Sequence, residues 1–207
     1  MAILSFKKSS IPNWLTILRI ILTIPIIVFF FIDNLPIAYS FNIDNQHLSI
    51  YWNQIIIGIL FIIASASDFL DGYLSRKFNW TSNFGKFWDP LADKILINSC
   101  FILLASKNLT HFSIVIVFIL RDIIVDGLRM YASKQSIIIP ANFYGKLKTV
   151  FQIIAIIILL FFGSYLNEVI WWKWGVLNLF TYISVLVSVL SGVVYGISYM
   201  KILGNKN

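Results

Sequence analysis

The feature that most constrains this chain is its series of long apolar runs, at residues 14–32, 51–74, 87–106, 112–132, 147–162 and 176–200. Most reach the roughly 20 residues that an α-helix needs to cross a bilayer core of about 30 Å. A backbone in lipid must satisfy its own polar groups, so each run is expected to be helical. With 59% hydrophobic and 12% charged residues and a mean hydropathy of +0.85, the 207 residues carry too little polar surface for a soluble globule. The expected architecture is an all-α integral membrane protein with six transmembrane helices. No internal repeat or low-complexity linker divides it, so residues 1–207 are expected to form a single domain.

The single cysteine, Cys100, lies inside an apolar run, which excludes an internal disulfide and offers no zinc cluster. The net charge of +7 comes from Lys and Arg scattered at the ends of the runs. That pattern points away from nucleic acid and toward anionic headgroups or phosphate-bearing substrates. The N-terminus has the basic start and apolar run of a secretory signal, but no small-x-small site follows Phe31 and Arg19 interrupts the run. It is read as an uncleaved first helix, with Pro12 and Asn13 at its start and a kink at Pro25. Residues 33–50 form the longest polar interval and contain no Lys or Arg.

Orientation follows from the basic residues in short flanks. With the N-terminus cytoplasmic, that side collects Lys7, Lys8, Arg76, Lys77, Lys86, Lys134, Lys146, Lys148, Lys201 and Lys206, and the other side only Lys107 and Lys173. Both termini, and the loop after residue 74, are therefore expected on the cytoplasmic side.

Against this apolar background, residues 68–93 read DFLDGYLSRKFNWTSNFGKFWDPLAD, with carboxylates spaced by three, eighteen and four. At about 100° per residue, Asp68, Asp71, Gly72 and Ser75 fall in one arc of a helix, and Asp89 and Asp93 share a face of the next. A bare carboxylate inside the membrane costs at least about 2.5 kcal/mol, and four close together repel one another unless compensated. A divalent cation supplies that compensation. Oxygen donors without His or Cys suit Mg²⁺ or Mn²⁺, with Ca²⁺ as a competitor. Gly72 and Gly85 remove side chains where a ligand must come near the backbone, and Arg76 can hold a phosphate through paired hydrogen bonds. Together these describe a diphosphate site. The plainer alternative is that the acids form ion pairs with Arg19, Lys86, Lys94, Arg121 or Arg129, yet four acids within 26 residues exceed what bundle pairing needs.

The same residues resemble the signature of the CDP-alcohol phosphotransferases, DxxDGxxAR, eight residues, GxxxDxxxD. Asp68, Asp71, Gly72, Arg76, Gly85, Asp89 and Asp93 match at every spacing, and the one departure is Ser75 where Ala is usual. The resemblance implies that an alcohol attacks the β-phosphorus of a CDP-linked lipid and CMP leaves. It implies two divalent ions on Asp68, Asp71 and Asp89, with Asp93 as general base that also touches a metal. It places Asn13, Thr16, Asp68, Asp71, Gly72, Ser75, Arg76 and Gly85 at the CDP moiety. Family members are commonly homodimers.

The signature does not choose the acceptor. Arg121, Asp122, Asp126 and Arg129 lie in the fourth run, the last three within an arc of about 60°. The sequence GKLKT follows at residues 145–149. Basic groups there suit an acceptor that carries its own phosphate. The stretches IPNWLTILR, RDIIVDGLR and GKLKTVFQ resemble the bacterial plasma-membrane branch of the family that uses CDP-diacylglycerol and sn-glycerol 3-phosphate, although the usual Glu after the fourth-run Arg is Asp122 here. On that resemblance Arg121 and Lys146 are the first choices for the acceptor phosphate, with Arg19, Arg129 and Lys148 as second choices. Bundle pairing or positive-inside anchoring would account for the same residues. Inositol phosphate, or phosphatidylglycerol on the way to cardiolipin, are the alternative acceptors, and a divalent-cation or phosphate transporter is the rival from another class. His47 and His111 read as ordinary loop residues, and Trp171, Trp172 and Trp174 as an interfacial belt.

Overall fold

A computed structural model of the chain describes residues 11–32, 35–43, 46–78, 83–134, 143–163 and 175–204. The chain divides into two compact units, Met1–Leu103 and Leu104–Asn207. The first contains α1 (Ile11–Phe31), an antiparallel hairpin of β1 (Ile37–Ile43) and β2 (Gln46–Tyr51), α2 (Trp52–Phe78) and most of α3 (Asn83–Ser106). The second contains the end of α3, then α4 (Phe112–Lys134), α5 (Phe143–Phe162) and α6 (Leu179–Gly204).

In the first unit α1 packs on α2. The buried stripe of α1 is Thr16, Arg19, Thr23, Ile26 and Phe30, stepping by three and four as one helix face must. On α2 the stripe is Ile57, Phe61, Ala64, Ser67 and Asp71. Each stripe is polar at one end and apolar at the other, and the order reverses between the helices. Joined by a hairpin, the helices therefore bring their polar ends together, and Arg19 meets Asp71.

The interval 33–50, expected only as a polar connection, contains the hairpin. Ile37 pairs with Tyr51, Phe41 with Leu48 and Ile43 with Gln46. The Trp52 amide donates to the Pro36 carbonyl at 3.2 Å and ties the base of the hairpin to the start of α2. The signal was present, since Ile37, Tyr39, Phe41 and Ile43 alternate with smaller or polar residues at the strand period of two. His47 accordingly belongs to a strand and not to a loop.

Helices are longer than the apolar runs alone indicate. α2 continues past Leu74 to Phe78, so Ser75 and Arg76 are helical, and α3 begins at Asn83, so Gly85 is in its first turn and not in a loop. α5 likewise begins at Phe143 and includes Gly145. Polar residues extend a helix beyond the membrane without breaking it, so hydropathy underestimates its ends.

In the second unit, α3 closes with a Schellman cap. Asn108 takes the left-handed conformation at φ 59°, its amide donates to the Ala105 carbonyl at 3.0 Å, and the Leu109 amide donates to Leu104 at 2.9 Å. α6 packs against α4 and α5 through a stripe of Thr181, Ser184, Ser188, Ser191, Tyr195 and Tyr199, all buried. Small polar residues at this spacing let helix backbones approach closely in lipid.

Among the described residues, four helices are long and apolar enough to cross a membrane: Asn13–Phe31, Trp52–Tyr73, Phe143–Phe162 and Leu179–Ile202. α3 and α4 match them in length, at 24 and 23 residues, but carry Asp89, Asp93 and Lys94, and Arg121, Asp122, Asp126 and Arg129. The six expected runs are all helical, and these charges separate the two that fall outside the hydropathy criterion. Trp171, Trp172 and Trp174 lie outside the described residues.

Candidate active site

The first unit holds the acidic patch. Arg19, with no solvent exposure, reaches from α1 to both acids of the first motif half. Its two terminal nitrogens lie 2.8 Å from Asp68 Oδ1 and 3.0 Å from Asp71 Oδ2. One turn earlier, Thr16 donates its hydroxyl hydrogen to Asp89 Oδ1 on α3. Asp68, Asp71 and Asp89 interact electrostatically with one another across α2 and α3. Asp93 follows Asp89 by one turn and is half-buried, as is Gly72 beside Asp71. Asn13 lies half-buried one turn before Thr16 on α1. The side chains of Ser75 and Arg76, and residue Gly85, lie outside what is described in side-chain detail.

The donor set fits a divalent cation. Every candidate ligand is a hard oxygen, and one guanidinium leaves the four carboxylates net negative. Among the described residues no three acids are gathered at metal-binding distance. The guanidinium of Arg19 lies between the Asp68 and Asp71 oxygens that would have to converge, and Thr16 holds Asp89.

The second unit holds a distinct charged cluster. Asp122 on α4 is buried and accepts from Lys148 Nζ at 2.5 Å and from Arg121 at 2.9 Å. Arg121 also donates through Nε to the Ser188 carbonyl at 3.2 Å and through its other terminal nitrogen to Ser191 Oγ at 2.6 Å. Gly192 lies against the Arg121 side chain, and a Cβ there would meet it at ordinary van der Waals distance. Asp122 thus joins two cations from α4 and α5.

Of the acceptor candidates, Arg121 and Lys148 belong to this cluster, whereas Lys146 is exposed two residues away. Arg129 is exposed and stands over the Tyr195 ring, 5.7 Å from its centroid, with Nε 3.5 Å from the hydroxyl. Asp122 is buried and Arg129 is exposed, although Arg129 reaches Tyr195 on α6, the helix that Arg121 also contacts. Arg19 lies in the other unit and is engaged by the acids. Sequence reasoning missed Ser188 and Ser191. The signal was available, because polar residues at 184, 188 and 191 in an apolar helix mark its inward face.

These features define a helical protein with several helices long and apolar enough to cross a membrane, an acidic, oxygen-rich patch in one unit and a largely buried charged cluster in the other. The chain belongs to the CDP-alcohol phosphatidyltransferase family, whose family model matches residues 9–194. It is 41% identical over 198 residues to the CDP-diacylglycerol–glycerol-3-phosphate 3-phosphatidyltransferase of Mycoplasma genitalium, covering 92% of this chain and 84% of that protein. It is 42% identical over 151 residues to the enzyme of the same name from Bacillus subtilis, covering 73% of this chain and 76% of the relative. A Rickettsia typhi protein of that name is 31% identical over 192 residues, 93% of this chain and 96% of its own length. The resemblance read from the signature is thereby borne out.

Proposed function

We propose that the protein transfers a phosphatidyl group from CDP-diacylglycerol to sn-glycerol 3-phosphate. The observation that carries this is the conjunction of the complete acidic signature with relatives of that printed activity along most of the chain. The acceptor hydroxyl oxygen forms a bond to the β-phosphorus, the bond from that phosphorus to the CMP oxygen breaks, and CMP leaves. The hydroxyl proton goes to the Asp93 carboxylate.

Asp68, Asp71, Asp89 and Asp93 would hold divalent metal, Mg²⁺ or Mn²⁺ and two ions in our reading, which when bound neutralises the diphosphate and the charge that develops on transfer. Asn13, Thr16, Gly72, Ser75, Arg76 and Gly85 would line the CDP moiety beside Asp68 and Asp71. Arg121 and Lys148 take precedence over Lys146 for the acceptor phosphate. Lys148 is buried and Arg121 largely so, and a charge-assisted hydrogen bond to phosphate is stronger out of water than one from an exposed lysine. Arg129 remains a secondary candidate.

Purified protein given CDP-diacylglycerol, Mg²⁺ or Mn²⁺ and one acceptor at a time should release CMP with sn-glycerol 3-phosphate. Release only with inositol phosphate or phosphatidylglycerol would reassign the acceptor. In that assay Lys148→Ala is expected to raise the KM for glycerol 3-phosphate at least about tenfold, while Lys146→Ala stays near wild type. Equal effects of the two would remove Lys148 from the phosphate site.

In the same reading both units form one catalytic domain, as supported by a family match that runs across their boundary. All six helices cross the bacterial plasma membrane, with the termini and the acidic site cytoplasmic, and two copies associate as a homodimer. Labelling of single cysteines at residues 107 and 134 from each side of the membrane tests the topology. Opposite accessibility of the two sites is expected, and equal accessibility would reject α4 as a span. Chemical crosslinking in the membrane tests the dimer, which a solely monomeric product would reject.

A further inference from the structure

Arg19 is a cation to which the transfer steps described above give no role. It is fully buried, its two terminal nitrogens face Asp68 and Asp71, and its Nε is buried without a hydrogen-bond partner among the described residues. Beside a longer-range attraction to Asp89, its direct contacts are with two carboxylates, the same two on one face of α2 that are candidate ligands of a divalent ion. Both acids cannot give these oxygens to a guanidinium and to a cation at once. Thr16, on the same face of α1 one turn earlier, engages Asp89. One helix thus contacts both halves of the acidic motif.

We propose that Arg19 is the built-in counter-cation of the acidic site. It neutralises Asp68 and Asp71 when no metal is held, keeps α1 against α2 in that state, and competes with the divalent ion for their oxygens. Arg19 is then a positioning residue acting through the two acids, and it is not a ligand of the acceptor phosphate. Without such a cation, the metal-free patch would expose α1 and α2 to the repulsion of uncompensated carboxylates. With it, the unit has an ion-paired metal-free state, and metal uptake requires the guanidinium to release the oxygens.

The inference rests on reading the acids as a divalent-cation site, and its test separates the two. Mn²⁺ is titrated into the full chain in detergent, without substrate, and free Mn²⁺ is followed by electron paramagnetic resonance. Thermal unfolding is recorded in parallel in EDTA and in excess Mn²⁺. Removing a unit positive charge a few ångströms from a dication favours binding, so Arg19→Gln is expected to bind Mn²⁺ at least about tenfold more tightly than wild type. In EDTA the same variant should melt below wild type, and its Mn²⁺-induced rise in Tm should be larger.

A purely structural Arg19 would give the opposite sign, because a loosened site binds metal more weakly. Arg19→Lys keeps the charge but cannot span both carboxylates, so it is expected to fold and to bind Mn²⁺ a few-fold more tightly than wild type. It carries the test if the Gln variant does not fold. Unchanged or weaker Mn²⁺ binding in the folded variants overturns the role of Arg19 alone. Absence of Mn²⁺ binding by wild type overturns the metal reading and this inference with it.

Discussion

Asp93→Asn is expected to release CMP at least about a hundredfold more slowly than wild type, because general-base assistance contributes roughly 10²–10⁴ in rate. Asparagine has almost the same shape and keeps one oxygen toward the site, but it cannot accept the acceptor's proton at neutral pH. Asp93 is half-buried on α3, one turn beyond Asp89, which Thr16 engages. Removal of the carboxylate charge therefore leaves the α1–α3 contact at Asp89 in place, and the fold should persist. CMP release in a single turnover, beside Mn²⁺ affinity of the same preparation, checks this. Near-wild-type release would put the base elsewhere, and a large loss of Mn²⁺ affinity would make Asp93 chiefly a metal ligand.

The second large effect is expected at Asp122. Asp122→Ala leaves Arg121 and Lys148 without their carboxylate in a region where all three side chains are largely buried. Breaking a buried ion pair by removing one partner costs about 3–5 kcal/mol, since the remaining charges stay desolvated. Against a typical total stability of roughly 5–15 kcal/mol, that loss should show as a lower yield of monodisperse protein in detergent and a reduced Tm. Asp122→Glu restores the charge with one more methylene and is expected to recover most of the loss. If Asp122→Ala is as stable as wild type, the Ser188 and Ser191 contacts suffice to hold Arg121. If Glu fails to rescue, shape and not charge is what the position requires.

How much was legible follows from the kind of signal each feature leaves. The acidic signature is a linear pattern on two consecutive helices, so spacing alone groups Asp68 with Asp71 and Asp89 with Asp93. The pairing of Arg19 with Asp71 spans 52 positions. The sequence offers five cations as partners for the acids, and only the antiparallel docking of α1 on α2 selects Arg19. Lys146 and Lys148 differ by about 200° around α5, and hydropathy cannot tell which points inward, because lipid-facing and core-facing residues of that helix are both apolar. Tertiary packing decides it, burying Lys148 with Gln152 and Ala155 and setting its ammonium on Asp122 and the Phe118 ring of α4. The hairpin was legible and overlooked, since its alternation of apolar residues was masked by a polar average.

The sequence by itself determined the membrane class, the helical segments, the family and the four acids, because each is written in local composition or fixed spacing. Only the tertiary structure decided which cations answer those charges. Burial turns a charge into a structural commitment, and which charges are buried together depends on helix faces that meet across dozens of residues. Thus Arg19, one of five cations open to the acids, is the partner of Asp68 and Asp71, and Lys148, not Lys146, shares Asp122 with Arg121.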